Sequence, residues 1–271
     1  WKHTYYGSVT LSAVDLLAIP SPGWLTDNLI NFWYWHLVKD KYTLKALSSN
    51  QQQQSTEQST DDEQQSEQQS STSLSTSSSS QSKQIRKPDD LLFLDPSCSF
   101  FISFGSTSDI DESLRPLNIA SRNLVLIPIT DQTALDKAGG SHWTLLAYHR
   151  TTNVISYYNS MYGPRIDALA RTIANKIGPI FNKQSPPKFI HQKAPTQSNT
   201  YDCGCYVSLI STFLADQYFS TASTLFGDKL MNIDSLACAK LRATMIELTK
   251  SQEIKESKRQ KGSLFSLRKK K

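Results

Sequence analysis

A cysteine at the start of a helical pattern is the residue of this chain whose position most favours nucleophilic chemistry. Cys203 follows Asp202, and an apolar run with the i, i+3, i+4 spacing of a helix begins after Gly204. We expect Asp202 to be the N-cap and Cys203 the first helical residue, where backbone N–H groups and the helix dipole would lower the thiol pKa. Taken alone, however, a cysteine beside an apolar run is more often a small buried hydrophobic residue.

A histidine and an asparagine are predicted to meet on a β-hairpin near this cysteine. His142 opens an alternating strand pattern, and a second strand pattern ends at Asn159. If the turn consists of Arg150 and Thr151, facing residues have numbers that sum to 301, and His142 lies opposite Asn159. Facing Cβ atoms on one sheet surface are about 4.5–5.5 Å apart, which is within reach of a side-chain hydrogen bond.

Cys203, His142 and Asn159 have the side chains that thiol acyl transfer requires. Cys203 would attack a carbonyl, His142 would take the thiol proton, and Asn159 would orient the imidazole. Asparagine accepts the imidazole N–H but brings no negative charge, so we expect that Asn159→Asp keeps or raises activity. Gln197 offers an amide N–H₂ to the developing oxyanion, with the backbone N–H of Cys203 as the second donor.

The elements that must position these side chains are those of an α+β domain. Helical patterns lie near residues 10–18, 27–47, 165–177, 203–219 and 233–250, and strand patterns lie near 91–94, 123–129, 142–149, 154–159 and 187–192. We expect a small mixed sheet flanked by helices. The site would form where the open end of the hairpin meets the N-terminus of the cysteine helix.

Four segments, in order along the chain, resemble the Ulp/sentrin-specific cysteine proteases, which cleave ubiquitin-like modifiers from precursors and conjugates. The segments are Pro22-Gly-Trp-Leu-Thr-Asp-Asn28, Leu114-Arg-Pro-Leu117, Ala138-Gly-Gly-x-His-Trp-Thr-Leu-Leu146 and Ala194-Pro-x-Gln-x-Asn-x-Tyr-Asp-Cys-Gly204. They are most similar to the deneddylase branch, and the resemblance runs from about residue 5 to about residue 245, interrupted by one insertion. The chain departs from the family at Asn159, where the family usually has aspartate.

The resemblance implies a papain-like fold of the ubiquitin-like protease type and an isopeptidase that cuts after the C-terminal Gly-Gly of a modifier. The expected substrates are the neddylation modifier and its conjugates such as cullins, with SUMO as an alternative. Trp24 and Trp143 would line the channel for the Gly-Gly tail, because a side chain would clash between two indoles. No cofactor or metal is expected, nor a need for nucleic acid or membrane, and the chain is expected to act as a monomer.

Two other classes of function use the same residues. A non-enzymatic modifier-binding module would follow if Asn159 marks a decayed triad, and an acyltransferase would use Cys203 and His142 on acyl-coenzyme A. The paired tryptophans argue against the acyltransferase, although a single tryptophan is more often a core residue.

Two segments have compositions that do not favour a folded core. Residues 48–86 are almost wholly polar and predict a disordered insertion within a catalytic domain spanning 1–249. Residues 250–271 hold nine Lys or Arg against two Glu, which is a charge of +7. Because the net charge of the whole chain is +5, the remaining residues carry −2. We expect a basic, disordered tail that is a solvated end, a nuclear-import signal or a tether to acidic surfaces.

The remaining cysteines and acidic residues are interpreted as structural. The four cysteines form no Cys-x-x-Cys pair, and no apolar run is long enough for a membrane span, which favours reduced thiols and a place in the cytoplasm or nucleus. Cys205 with His191 and Cys238 fits no usual zinc spacing. Asp15 and Asp131 are interpreted as caps, turns or surface contacts.

Overall fold

The computed structural model describes the backbone of residues 4–6, 9–43, 86–132, 140–220 and 230–268, with side chains from residue 9 to residue 252 within those ranges. The predicted disordered insertion at 48–86 lies outside the described residues except for Arg86.

Runs of strands and runs of helices follow one another along the chain, as in an α+β domain. The strands are β1 (Thr4–Tyr6), β2 (Val9–Leu11), β3 (Leu91–Phe93), β4 (Leu124–Thr130), β5 (Trp143–His149), β6 (Val154–Tyr158) and β7 (Lys188–His191). The α-helices are α1 (Ala13–Ala18), α2 (Asp27–His36), α3 (Pro96–Phe104), α4 (Thr107–Leu114), α5 (Pro164–Phe181), α6 (Cys203–Phe219) and α7 (Ser235–Arg268). A π-helical segment, Leu37–Tyr42, extends α2.

The described strands form a small hairpin, β1-β2, and a mixed sheet of five strands in the order β3-β4-β5-β6-β7. The two outer pairs of the sheet, β3-β4 and β6-β7, are parallel, and the inner pairs are antiparallel. The predicted small mixed sheet flanked by helices is therefore confirmed.

Helices cover both faces of this sheet because its central strands are apolar at consecutive positions. Every residue of β4 is buried, with Leu124 and Leu126 in one core and Val125 and Ile127 in the other. The first core includes residues of α2, α6 and α7, and the second includes residues of α3, α4 and α5. A strand buried on both faces has this continuous apolar pattern.

The hairpin between β5 and β6 has a longer turn than the sequence predicted. His149 faces Val154 and Leu145 faces Tyr158, so facing residue numbers sum to 303 and not to 301. Asn153 makes the longer turn possible because it adopts a left-handed backbone with a φ of 50°, which asparagine tolerates better than most residues. Extended past the strand ends, this register puts His142 diagonal to Asn159.

Other differences concern short elements and the C-terminal segment. The helices α3 and α4 were not predicted, and the helix predicted near 10–18 is divided into β2 and α1 by the capping residue Ser12. A disordered tail was expected from residue 250, but the structure continues α7 to Arg268. Lys, Glu, Gln and Arg, which are frequent there, have good intrinsic helix propensity. No helix among the described residues is long and apolar enough to cross a membrane.

Candidate active site

The thiol of Cys203 lies at the N-terminus of α6, as predicted, and only 1% of the residue is exposed. Asp202 precedes it, but the Asp202 side chain does not cap the helix. Its carboxylate instead accepts hydrogen bonds from Arg242 Nη2 at 2.8 Å and from Asn199 Nδ2 at 2.7 Å. Asp202 is thus the N-cap residue, as predicted, but its side chain does not bond the first N–H groups of the helix because Arg242 and Asn199 hold its two carboxylate oxygens.

Burial raises the pKa of the Cys203 thiol above its usual value. The backbone N–H groups of Trp143 and Gly204 contact the sulfur and act in the opposite direction, whereas the negative charge of Asp131 raises the pKa further. The sequence predicted a lowered pKa from the helix N-terminus, and that direction was wrong. Desolvation of the thiolate outweighs the N–H donors in this chain.

His142 and Asn159 are joined by a hydrogen bond of 2.7 Å between Nε2 and Oδ1. The predicted contact is thus present, although the two residues are diagonal neighbours and do not face each other directly. Diagonal side chains on one sheet surface remain within reach when they are long. His142 is buried, and within the described residues its Nδ1 has no hydrogen-bond partner.

The contacts of Asn159 determine which nitrogen of His142 carries the proton. Asn159 Oδ1 also accepts a bond from the backbone N–H of Met161 at 3.1 Å, and Nδ2 donates to Asp167 Oδ1 at 3.0 Å. An N–H cannot accept and a carboxylate cannot donate, so the amide has only this orientation. Nε2 of a neutral His142 must therefore be the protonated nitrogen, which leaves the lone pair on Nδ1 to act as a base.

The backbone of His142 is fixed by Asp131, which follows the end of β4. The Asp131 carboxylate accepts the backbone N–H of His142 at 2.9 Å and that of Ser141 at 2.5 Å. The Asp131 backbone N–H also donates to the His142 carbonyl at 3.2 Å. Asp131 was interpreted as a cap, a turn residue or a surface contact, and its contacts show that it holds the backbone of Ser141 and His142 in place.

Gln197 is buried next to Ser160, the residue that follows Asn159. Ser160 Oγ donates to Gln197 Oε1 at 2.7 Å, and the backbone N–H of Gln197 donates to the Ser160 carbonyl at 2.9 Å. Gln197 Nε2 donates to the Asn199 carbonyl at 2.6 Å. An amide nitrogen carries two hydrogens, so one N–H remains for another acceptor.

Trp143 contacts Leu25, the residue that follows Trp24, at the start of α6. The Trp143 indole N–H donates to the Leu25 carbonyl at 3.0 Å, and Trp24 is 44% exposed. A Cβ at Gly204 would lie 2.8 Å from Leu25 Cβ and 3.5 Å from Trp143 Cδ1. Glycine is thus required after Cys203 because Leu25 and Trp143 pack closely against this turn of the helix.

Residues 107–254 match the Ulp1 protease family, C-terminal catalytic domain. This chain belongs to the Ulp1 protease family. Sentrin-specific protease 8 of Homo sapiens is 31% identical over 133 residues, which are 48% of this chain and 62% of that protein. NEDD8-specific protease 1 of Arabidopsis thaliana is 26% identical over 155 residues, 56% of this chain and 65% of that protein. The chain spans less than two thirds of the length of these curated relatives.

Solved structures confirm the Ulp1-type fold. The C-terminal Ulp1 protease domain in complex with Smt3, the yeast ortholog of SUMO, superposes with a TM-score of 0.59 at 14% identity. That likeness covers 93% of this chain and 90% of the solved chain. A de-sumoylating protease has a TM-score of 0.56 at 15% identity, over 97% of this chain and 96% of its own. The predicted family and fold class are both confirmed.

Sequence reasoning missed one residue that organises the cysteine loop of this Ulp1-family chain. Arg242 of α7 is 3% exposed and, besides pairing with Asp202, donates to the carbonyls of Ile19 and Gly23, both at 2.7 Å. Arg242 thereby joins the loop before Cys203 to the loop before Trp24. No sequence signal identifies it, because its partners lie far away along the chain.

One group of potential metal ligands occurs among the described residues of this Ulp1-family chain. Ligand atoms of Asp202, Cys205 and Cys238 lie within 4.8 Å of one another. The Asp202 carboxylate already pairs with the Arg242 guanidinium, so a cation there would meet a buried positive charge. A hydrogen bond with the Cys238 thiol, and then burial, raise the pKa of Cys205, which disfavours the thiolate that a metal requires. The group is therefore a poor cation site, and His191 is not part of it.

Proposed function

We propose that this chain is a thiol protease that hydrolyses the bond after the C-terminal Gly-Gly of a ubiquitin-like modifier. The observation that carries the proposal is the 2.7 Å hydrogen bond from His142 to Asn159, at the end of the sheet where α6 begins with Cys203. An oriented imidazole beside a thiol at a helix N-terminus is the arrangement that thiol acyl transfer needs.

Each side chain has a defined part in the proposed reaction. His142 Nδ1 takes the proton of the Cys203 thiol as the sulfur attacks the carbonyl carbon of the last glycine. The tetrahedral intermediate collapses, the C–N bond breaks, and the imidazolium gives its proton to the leaving amine. Water then attacks the thioester while His142 accepts a proton from it, and the free carboxylate and the thiol are restored.

Gln197 is the proposed side-chain donor to the oxyanion. Its amide is held by Ser160 on one side and by the Asn199 carbonyl on the other, so its remaining N–H has a fixed direction. The backbone N–H of Cys203 is the proposed second donor. Fixed donors stabilise a developing oxyanion without reorganising during the reaction.

The neddylation modifier is the proposed preferred substrate, free as a precursor or attached to targets such as cullins. Two relatives bear the names NEDD8-specific protease 1 and 2, and Trp143 with the exposed Trp24 is proposed to line the channel for the glycine tail. SUMO is the alternative modifier. The chain is proposed to act as a monomer, in the cytoplasm or nucleus and without a cofactor.

Cleavage of two modifier precursors, measured side by side, tests the proposal. The wild-type chain is expected to process the NEDD8 precursor at least about tenfold faster than the SUMO precursor, a difference of roughly 1.4 kcal/mol. Cys203→Ala is expected to abolish cleavage, and Cys98→Ala, a matched loss of a thiol on α3, is expected to leave it unchanged. A Cys203→Ala chain that still cleaves would refute the assignment of the nucleophile.

Labelling of Cys203 with NEDD8 that carries a C-terminal electrophile separates the other classes of function. Modifier binding without labelling and without cleavage would indicate a binding module. If neither modifier binds, the Cys-His acyltransferase becomes the better explanation. Faster cleavage of the SUMO precursor would keep the protease and reassign its substrate.

A further inference from the structure

Asp167 contacts Asn159, the residue that orients His142, but has no assigned part in the proposed reaction. It lies in the first turn of α5, and its Oδ1 accepts Asn159 Nδ2 at 3.0 Å. The same oxygen accepts the hydroxyl of Tyr157 at 2.7 Å.

An asparagine in the orienting position creates a problem that an aspartate does not have. Both oxygens of an aspartate accept an imidazole N–H, but an amide turned by 180° would present its N–H₂ to His142. His142 Nε2 would then have to accept, and the proton would sit on Nδ1, where the base for the thiol is needed. Some neighbour must therefore select the orientation of the Asn159 amide.

Asp167 is that neighbour because it can only accept. The backbone N–H of Met161 supports the same orientation from the other side, at 3.1 Å from Asn159 Oδ1. Asp167 also has the charge that Asn159 lacks, one amide group away from the imidazole. Negative charge at this distance still favours the imidazolium that forms when His142 takes the thiol proton.

We propose that Asp167 is the positioning residue of this site, which fixes the Asn159 amide, and through it the His142 tautomer, and supplies the missing negative charge. The expected effect of Asp167 on catalysis rests on the proposed function. Its expected effect on the His142 tautomer does not. Asp167 also changes the expectation for Asn159→Asp. That substitution brings the new carboxylate at position 159 within hydrogen-bond distance of the Asp167 carboxylate. Two carboxylates so close repel each other when both are ionised.

Exchange of the two side chains is the sharpest test. We expect kcat for precursor cleavage to fall about tenfold in Asp167→Asn and in Asn159→Asp, with KM within about twofold because Asp167 acts through Asn159. The double variant Asn159→Asp/Asp167→Asn restores one carboxylate and one amide, so we expect kcat within about threefold of wild type. Asp109→Asn, which alters an acid in the first turn of α4, is the matched control and is expected to leave kcat unchanged.

Additive losses in the double variant would overturn the inference, as would a wild-type kcat in Asp167→Asn. A merely structural role predicts no rescue by the exchange. Asp167→Ala, examined by thermal unfolding alongside, separates loss of the fold from loss of orientation.

The tautomer of His142 gives a readout that does not need activity. Nitrogen NMR, with the His142 signal assigned by comparison with His142→Gln, is expected to show the proton on Nε2 in the wild type and a mixture of tautomers in Asp167→Ala. If the wild type cleaves no precursor but this shift occurs, the proposed function fails and the positioning role stands. If the tautomer is unchanged in Asp167→Ala, the positioning role fails whatever the activity.

Discussion

Ser160 and Gln197 hold each other through two hydrogen bonds. The Ser160 hydroxyl donates to the Gln197 side-chain oxygen at 2.7 Å, and the Ser160 carbonyl accepts the Gln197 backbone N–H at 2.9 Å. Because Ser160 follows Asn159 directly, the residue that orients the base and the proposed oxyanion donor are fixed to the same stretch of chain. A change at Ser160 therefore affects Gln197 without removing it.

Removal of the Ser160 hydroxyl should weaken the proposed oxyanion donor without abolishing it. We expect Gln197→Ala to lower kcat by about 10²–10³-fold, the usual cost of losing one such donor. Ser160→Ala should lower kcat less, by about tenfold, because the amide remains but loses its fixed direction. Steady-state kinetics on a modifier precursor measures both effects. A larger loss in Ser160→Ala than in Gln197→Ala would contradict this order.

The buried pair of Arg242 and Asp202 should be important for stability. Arg242→Met leaves the Asp202 carboxylate buried without its cation, and we expect the free energy of unfolding to fall by about 3–5 kcal/mol. Urea unfolding measures this change. The matched control is Arg115→Met, which breaks the exposed pair with Asp111 and should leave the unfolding midpoint unchanged. Equal effects of the two substitutions would count against a special role of the Arg242 pair.

Asp15 should make stability depend on pH in the acid range. Burial alone would raise its pKa, but hydrogen bonds from Thr26, Ser12 and Asn28 outweigh burial and hold the pKa below its usual value. The stabilisation is therefore present above the unfolded-state pKa and is lost as the pH falls through the lower folded-state pKa.

Substitution of Asp15 tests this pH dependence. At pH 7 we expect Asp15→Asn to lower the free energy of unfolding by about 2 kcal/mol, since it weakens charge-assisted bonds to a buried group. The difference from wild type should shrink as the pH is lowered through the acid range. Asp27→Asn, at an exposed site on α2, is the control. A difference that stays constant with pH would exclude Asp15 as the source.

The charge of Asp131 should retard ionisation of the Cys203 thiol. Burial is the main reason for the raised pKa, and Asp131 adds to it. Asp131→Asn keeps a carbonyl oxygen for the N–H groups of Ser141 and His142 but removes the charge. The pKa of the Cys203 thiol should then fall. The pH midpoint of its alkylation by chloroacetamide should therefore move to lower pH. The alkylation rate of Cys203→Ala, subtracted at each pH, removes the contribution of the other cysteines. Glu112→Gln, an exposed change on α4, should not move the midpoint.

Local patterns were sufficient to predict the elements around Cys203, His142 and Asn159. The i, i+3, i+4 spacing after Cys203 predicted a helix that does begin at that residue, and the alternating patterns predicted β5 and β6. The contact between His142 and Asn159 was found despite a turn of the wrong length, because diagonal as well as facing residues are within reach across a hairpin. Periodicity and side-chain type are local properties, so the sequence alone determined them.

Tertiary packing decided what surrounds those residues. Whether the Cys203 thiol pKa rises or falls depends on how completely other elements bury it, and spacing along one helix does not encode that burial. Asp202 pairs with Arg242 from α7, and the Asn159 amide is held by Asp167 from α5. Both partners come from separate elements, so only the packed arrangement of those elements determines the electrostatics and the orientation of the site.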